Sequence, residues 1–475
     1  MDSQQVAQLL QMQPQPVVAQ QPRRYVKPVL DGLRISLVLL VLINVSRIHQ
    51  SNPLIGALRP GLVLVAAALG FAVFRPKSAN LRGLFKTTEA KLILALFVMA
   101  CISAVGGISL GNSAKFIMER YWKVIVAAFL LLAGIRHVRD LYTLTWAYVL
   151  GSATLAYMAI FMFKLSKRHG SEVARLQELY TFDANDIGVV LLVGVPLTLL
   201  IARHTTGVKK WFCFAVVAAI GVALARSGSR GTLVGLVVTG LVLLAGLKSV
   251  PLWKRAAFVG VVAAALILAA PPGYWEQMET ILGLKEDYNW TSKDGRRQIL
   301  IRGMGYVAEY PLTGLGIDNF HRAECMSDLS DKVRNHVRGT GLKCAAPHNT
   351  YLQVAAEAGI PGLILWLMLV FGGIVRMRKL RRKLPRAWRT GDAEQRFMYD
   401  MTFYLPISVV GFAITTLFVT FAWLDIVYIA VVYEAGLTLA VRKRLAQDYA
   451  TQSVYMPSAP APVQMPVALP APAPS

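Results

Sequence analysis

Twelve apolar runs interrupt this chain, at roughly 30–46, 54–74, 91–109, 121–135, 140–163, 187–202, 211–225, 231–247, 252–270, 362–378, 402–421 and 425–441. Each is near the length that crosses a hydrocarbon core about 30 Å thick. Inside lipid every backbone N–H and C=O must find a partner within the chain, and helices do this segment by segment. The expected fold is therefore an all-α polytopic membrane protein of about 12 transmembrane helices. One large, mainly helical extracytoplasmic loop precedes the tenth span. Hydrophobic residues make up 55% of the sequence, and a soluble domain of 475 residues would not carry so many long apolar runs.

Lysine and arginine in the connecting loops orient the spans. Arg23, Arg24 and Lys27 precede the first run. Arg75, Lys77, Arg82 and Lys86 follow the second, and Arg203, Lys209 and Lys210 follow the sixth. Lys254 and Arg255 open the ninth. The densest cluster runs from Arg376 to Arg396, and Arg442-Lys443-Arg444 closes the set. These loops alternate, which places both termini in the cytoplasm. The expected division is a disordered N-terminal tail over 1–28, nine spans over 29–270, an outer loop over 271–348, a short outer helix with three spans over 349–445, and a disordered Ala/Pro-rich tail over 446–475. Neither tail has a pattern that could bury a core. A cleavable signal peptide is not expected, because the first apolar run starts late and more runs follow it. No internal repeat is visible.

The outer loop is itself basic, with Arg296, Arg297, Arg302, Arg322, Arg334, Arg338 and Lys343. Long loops translocate largely regardless of charge. The charge therefore points to anionic partners rather than to a cytoplasmic location. Cys325 and Cys344 share this loop, and an oxidising outer compartment makes a disulfide between them the expected state. Cys101 and Cys213 fall in predicted spans as buried apolar residues.

The outer loop ends at His348-Asn349-Thr350-Tyr351-Leu352-Gln353, followed by Gly359-Ile360-Pro361-Gly362. Asn349 and Thr350 are good N-cap types, and Tyr351 to Ala358 favour helix. His348 thus stands at the start of a short helix at the membrane boundary. The positive end of the helix dipole disfavours imidazolium, and a neutral imidazole can accept a proton as a general base must. The other reading of His348 is a plain helix cap.

Arg226-Ser227-Gly228-Ser229-Arg230-Gly231 forms a short outer turn between two spans. Arginines at a lipid boundary are costly unless paired with anions. Free N–H groups at a helix start and a forked guanidinium both suit phosphate. Snorkelling to headgroups is the alternative. Asp294-Gly295-Arg296-Arg297 precedes an amphipathic stretch over 298–309, where it is either an anion site or a solvated helix start. Asp183-Ala184-Asn185-Asp186 opens the sixth span, with Asp186 as a cap, and Asp425 caps the turn between the last two spans. Tyr274, Trp275 and Trp290 suit either sugar stacking or interfacial anchoring. His169, His204, His321 and His336 lack zinc spacing. Phosphate-binding P-loops, dinucleotide motifs and nucleophile elbows are absent from the sequence. No cofactor or metal is expected, so the energy must come from an activated substrate such as a glycosyl pyrophosphate.

These residues resemble the bacterial O-antigen ligase and polymerase family. The ligase signature is His, then Asn, Ser or Gln, nine residues, Gly, two residues, then Gly, Thr or Tyr. His348-Asn349 with Gly359 and Gly362 fits that spacing. Ser229-Arg230-Gly231, Gly295-Arg296, Pro311-Leu312-Thr313-Gly314-Leu315-Gly316 and Asp183-Ala184-Asn185-Asp186 look like further landmarks, although relatives often carry Pro where this chain has Ala184. The resemblance spans roughly 30–445. It implies transfer of O-antigen glycan from undecaprenyl pyrophosphate to lipid A–core oligosaccharide, at the periplasmic face of the bacterial inner membrane. In that picture His348 is the catalytic base. Arg226, Arg230, Arg296 and Arg297 bind the donor pyrophosphate, with Asn349, Arg338 and Asp183 in support. Membrane lipids are partners and nucleic acid is not. An O-antigen polymerase or a protein O-oligosaccharyltransferase would use the same donor. A lipid-linked oligosaccharide transporter would instead need charges along the span centres, where this chain has few.

Overall fold

The structure is a computed structural model, and it describes residues 30–167, 174–177, 181–247, 250–281, 283, 295–325 and 344–455. Its helices run α1 (Gly32–Ser46), α2 (Pro53–Ala57), α3 (Pro60–Phe74), α4 (Thr88–Gly106), α5 (Leu110–Phe116), α6 (Trp122–Gly134), α7 (Val138–Tyr157), α8 (Ala184–Arg203), α9 (Gly207–Ser227) and α10 (Arg230–Gly246). After these come α11 (Leu252–Ala269), α12 (Tyr274–Glu279), α13 (Arg296–Glu309), α14 (Phe320–Cys325), α15 (Thr350–Lys383), α16 (Ala393–Thr415) and α17 (Asp425–Tyr455). A short antiparallel hairpin, β1 (Lys164–Lys167) with β2 (Ala174–Gln177), is the only sheet among the described residues.

Each apolar run falls on a helix, but the helices differ in length and apolarity. Among the described residues seven are long and apolar enough to cross a membrane, and a bent pair over Pro60–Phe74 and Pro76–Lys86 allows an eighth. α1 and α10 are apolar but shorter. The chain is a multi-pass membrane protein. The N-terminal tail, the segment 456–475, and residues 282, 284–294 and 326–343 of the long loop, among them Trp290, Asp294, Arg338 and Lys343, lie outside the described residues, while residues 446–455, expected in the C-terminal tail, continue α17 to Tyr455.

The bundle is layered around α8, whose apolar window is 83% buried, whereas that of α11 is 6% buried. Small residues permit this close approach, since lipid supplies no hydrophobic drive between helices. A Cβ at Gly188 would stand 1.9 Å from the Thr232 hydroxyl, and one at Gly235 would stand 2.3 Å from the Thr415 methyl. α10 and α16 therefore lie directly against α8. At the other end of the bundle Arg34, 1% exposed, pairs with Asp31 at 2.9 Å and Asp140 at 3.0 Å and donates to the Gly134 carbonyl at 2.9 Å. One buried guanidinium thus ties the start of α1 to the α6–α7 corner.

Two features of the half of the bundle opposite Arg34 matter for function. Cys325 and Cys344 are bridged, with Cα atoms 4.5 Å apart. The bridge ties α14 to the segment that leads into α15. The eleventh apolar run, expected over 402–421, is helical only to Thr415. The Thr415 and Thr416 hydroxyls bond back to the Gly411 and Phe412 carbonyls at 2.8 Å each. The Thr416 carbonyl then accepts the Thr350 N–H at 2.9 Å instead of continuing the helix. Residues 416–424 form an irregular apolar loop, largely buried by protein except at Leu417. Such a loop is tolerated at membrane depth only under that cover, and hydropathy cannot distinguish it from helix.

Candidate active site

Loop 416–424 meets three of the segments singled out in the sequence: His348, the Arg226–Gly231 turn and the start of α8. His348 comes to it first. Its N–H donates to the Thr420 hydroxyl at 3.0 Å, and its backbone is left-handed, with φ 46°. For a residue with a Cβ that conformation costs roughly 1–2 kcal/mol. It persists where the surroundings over-determine it, which is common at functional sites. The next residue, Asn349, is the N-cap of α15. Its side chain accepts the Leu352 N–H at 2.9 Å. Capping therefore belongs to Asn349, and His348, half-buried, stands one residue ahead of the helix. Thr350 locks the junction by donating its hydroxyl to the Val419 carbonyl at 2.8 Å and accepting the Phe421 N–H at 3.0 Å.

The Arg226–Gly231 turn reaches the same loop. Gly228 takes φ 58°, which only glycine adopts without strain, and Ser229 caps α10 by accepting the Thr232 N–H at 3.3 Å. A Cβ at Gly231 would lie 2.6 Å from Phe418. Arg230 is the first residue of α10 and donates to the Thr280 hydroxyl at 2.5 Å, next to α12. Arg226 is turned back into the bundle, with its Nε on the Ala159 carbonyl at 2.9 Å and Nη2 on the Phe163 carbonyl at 3.4 Å.

Arg296 and Arg297 open α13. A Cβ at Gly303 would meet Leu352 at 2.6 Å, and the Ile360 N–H donates to the Pro311 carbonyl at 2.8 Å. Both pairs have the same separation in sequence. α13 and the first turns of α15 therefore run parallel and in step, with Arg296 and Arg297 at the same end as His348. Below them the Pro311–Gly316 segment hooks over the break in α15. Gly359 (φ 69°, ψ −177°) interrupts the helix, and a Cβ there would stand 2.6 Å from the Leu312 carbonyl. Gly314, at φ 73°, would place a Cβ 2.4 Å from the Glu357 carbonyl carbon. Each glycine is needed because backbone meets backbone.

Asp183 is the N-cap of α8, where it accepts the Asn185 and Asp186 N–H groups at 2.6 and 2.8 Å. Asp186 completes the capping box by accepting the Asp183 N–H at 3.0 Å. Phe182, beside it, lies 6.2 Å from Phe421 of the hub loop and beneath Arg47, whose guanidinium carbon is 4.9 Å from the ring centroid. Asp425, expected as a simple cap, pairs with Arg47 at 2.8 Å.

Sequence reasoning passed over four groups in this neighbourhood. Arg47 follows α1 and carries no local motif. Arg175 of β2 links the Ser227 carbonyl, at 3.0 Å, to Asn185, at 2.9 Å. Gln353 and Glu357 of α15 read as ordinary helix formers, yet both are buried. Thr420 sat inside an apparent span. A separate cluster, Asp318 with His321 and Arg120, was legible only as scattered charges. Burial raises the Asp318 carboxyl, and the charges of His321 and then Arg120 oppose that rise. No metal-binding cluster of His, Cys, Asp or Glu occurs among the described residues.

Residues 214–367 match the family model described as O-antigen ligase. The match runs from α9 through the Arg226–Gly231 turn and the outer loop to His348 and the break in α15. It leaves out Asp183 and the hub loop. A search of curated proteins returns no match.

Proposed function

We propose, from the O-antigen ligase domain that the chain carries over residues 214–367, that it is a membrane glycosyltransferase of lipopolysaccharide assembly. It transfers O-antigen glycan from undecaprenyl pyrophosphate to a sugar hydroxyl of lipid A–core oligosaccharide. The reaction takes place on the periplasmic side of the inner membrane. The observation that carries this reading is that loop 416–424 holds the left-handed His348 through Thr420 and packs through Phe418 against Gly231, beside Arg230 at the start of α10.

In this mechanism His348 removes the proton from the acceptor hydroxyl, which attacks the anomeric carbon of the donor. The glycosidic oxygen–carbon bond to phosphate breaks, and the configuration inverts. Arg230, Arg296 and Arg297 hold the pyrophosphate and meet the negative charge that grows on it as it leaves. A guanidinium fork matches phosphate geometry, and a fixed donor needs no reorganisation during the reaction. Arg226 braces the turn from behind through the end of α7, and Asn349 and Asp183 fix the helix ends that frame the site. The nucleotide-free chemistry follows from the donor, whose pyrophosphate is already a good leaving group.

Deletion of the gene followed by lipopolysaccharide gels tests the acceptor. The expected result is core lipid with no O-antigen while the lipid-linked donor accumulates. Core that carries a single repeat would instead mark the protein as a polymerase.

The proposed topology has both termini inside and residues 271–348 outside. In a background with Cys101 and Cys213 replaced by serine, Ser327→Cys should react with an impermeant maleimide in intact spheroplasts. Labelling that appears only after lysis would place the loop on the wrong side.

A further inference from the structure

Glu357 is 2% exposed and lies one turn after Gln353 on the helix that Asn349 caps. Both of its carboxylate oxygens are engaged. Oε2 accepts the Trp423 indole N–H at 2.6 Å and the Gln353 side-chain amide at 3.3 Å. Oε1 accepts the Phe320 backbone N–H at 3.2 Å. Gln353 in turn accepts the Ala422 N–H at 3.1 Å. One carboxylate therefore grips two segments, namely loop 416–424 and the start of α14, where the outer loop turns into the disulfide-bridged region. The gripped loop is the one whose Thr420 hydroxyl holds the His348 N–H in its left-handed conformation.

The backbone around Glu357 is fixed as firmly as its side chain. The Glu357 carbonyl accepts the Gly316 N–H at 3.1 Å and the Ser103 hydroxyl. The Ala356 carbonyl accepts the Leu315 N–H at 2.7 Å. α4, the Pro311–Gly316 hook and α15 meet at this residue. A buried carboxylate is expensive unless its oxygens are satisfied, and removing one partner of such a network leaves the others unpaired. A leucine at this position would fill the core without that cost. The acid is explained by what it holds.

We propose that Glu357 is the positioning residue for His348. Through Trp423 and Gln353 it fixes loop 416–424, and through Thr420 that loop sets the backbone of the histidine. The proposal rests on His348 acting as the base. Glu357 touches neither substrate, so its loss should appear in turnover and not in donor binding. The carboxylate is symmetric and an amide is not. Glu357→Gln can keep its oxygen toward Trp423 and Gln353 only by turning its amide nitrogen toward the Phe320 N–H. It should therefore retain the loop contact and lose the α14 contact. Glu357→Leu loses both.

The test uses full-length protein in liposomes, with lipid-linked donor and purified core acceptor, and measures kcat and the donor KM. Glu357→Leu should lower kcat by about 10²-fold, a fraction of what a positioned base contributes, with the donor KM unchanged within about twofold. Glu357→Gln should recover most of that loss. Trp423→Phe should lower kcat in the same direction, and the Trp423→Phe, Glu357→Leu double variant should lose no more than Glu357→Leu alone, because the leucine has already broken the Trp423 contact. Thr420→Val, which removes the hydroxyl while keeping the shape, gives a second route to the same loss if Glu357→Leu does not fold. Wild-type kcat in folded Glu357→Leu or in Thr420→Val, with His348→Ala inactive, would overturn the positioning role alone. Full activity in His348→Ala would overturn the base assignment on which it rests. A loss that appears as a raised donor KM, or in melting temperature alone, would return Glu357 to a packing role.

Discussion

His348→Ala is expected to fold, to bind donor and to lose transfer by about 10²–10⁴-fold, which is the usual contribution of a positioned general base. The structure separates this result from a loss of stability. The cap of α15 is the Asn349 side chain, so deleting the imidazole removes no cap. Loss of a cap would in any case cost only about 1 kcal/mol. The left-handed backbone supplies a sharper control. His348→Gly relieves the strain at φ 46° while also removing the ring, so it should be at least as stable as wild type and equally inactive. Transfer should also fall as the pH drops through the imidazole range, because only the neutral ring accepts a proton. Thermal melts beside transfer assays on these two variants check the expectation. A folded His348→Ala protein with activity within a few-fold of wild type would leave the base unassigned.

Arg230→Ala should cost about 10²–10³-fold in turnover, the scale of removing one fixed donor from a developing anion. Arg230→Lys should lose less, because a point charge keeps the attraction but gives up the fork that fits phosphate. The order of the two variants carries the argument. A guanidinium that merely snorkelled to headgroups would be replaced by lysine, or by alanine, with little change. The Thr280 hydroxyl bonds Nη1 at 2.5 Å, so Thr280→Val should reproduce part of the loss by loosening the fork. Steady-state rates across donor concentration are the measurement. Wild-type turnover in Arg230→Ala would move the pyrophosphate site elsewhere.

Much of this architecture was readable because it depends on local sequence. The apolar runs, the break at Gly359 and the Cys325–Cys344 pair each rest on a few neighbouring residues, whereas the cap of α8 falls on Asp183 and not on the expected Asp186. Capping and helix-breaking act over those distances. The end of the eleventh run was misplaced, because a loop buried in protein is as apolar as a helix. Thr420 was hidden there for the same reason. Arg47 with Asp425, and Arg175 with the Ser227 carbonyl, join residues far apart in the chain, and nothing in their local sequence announces the partner. Glu357 was read as helix propensity, since a glutamate on an amphipathic turn carries no mark of burial. The parallel alignment of α13 with α15, which brings Arg296 and Arg297 to the histidine end, came from two backbone approaches that only the folded chain displays.

Purified protein in liposomes should be given undecaprenyl pyrophosphate-linked O-antigen and lipid A–core, with no nucleotide added. If this chain alone moves a whole glycan from a lipid pyrophosphate onto core lipid, the expected products are glycan on the core, undecaprenyl pyrophosphate released in equal amount, and an inverted anomeric centre at the new linkage. Untouched donor beside a His348→Ala control of equal behaviour, or glycan that lengthens on the carrier and never reaches the core, would contradict it.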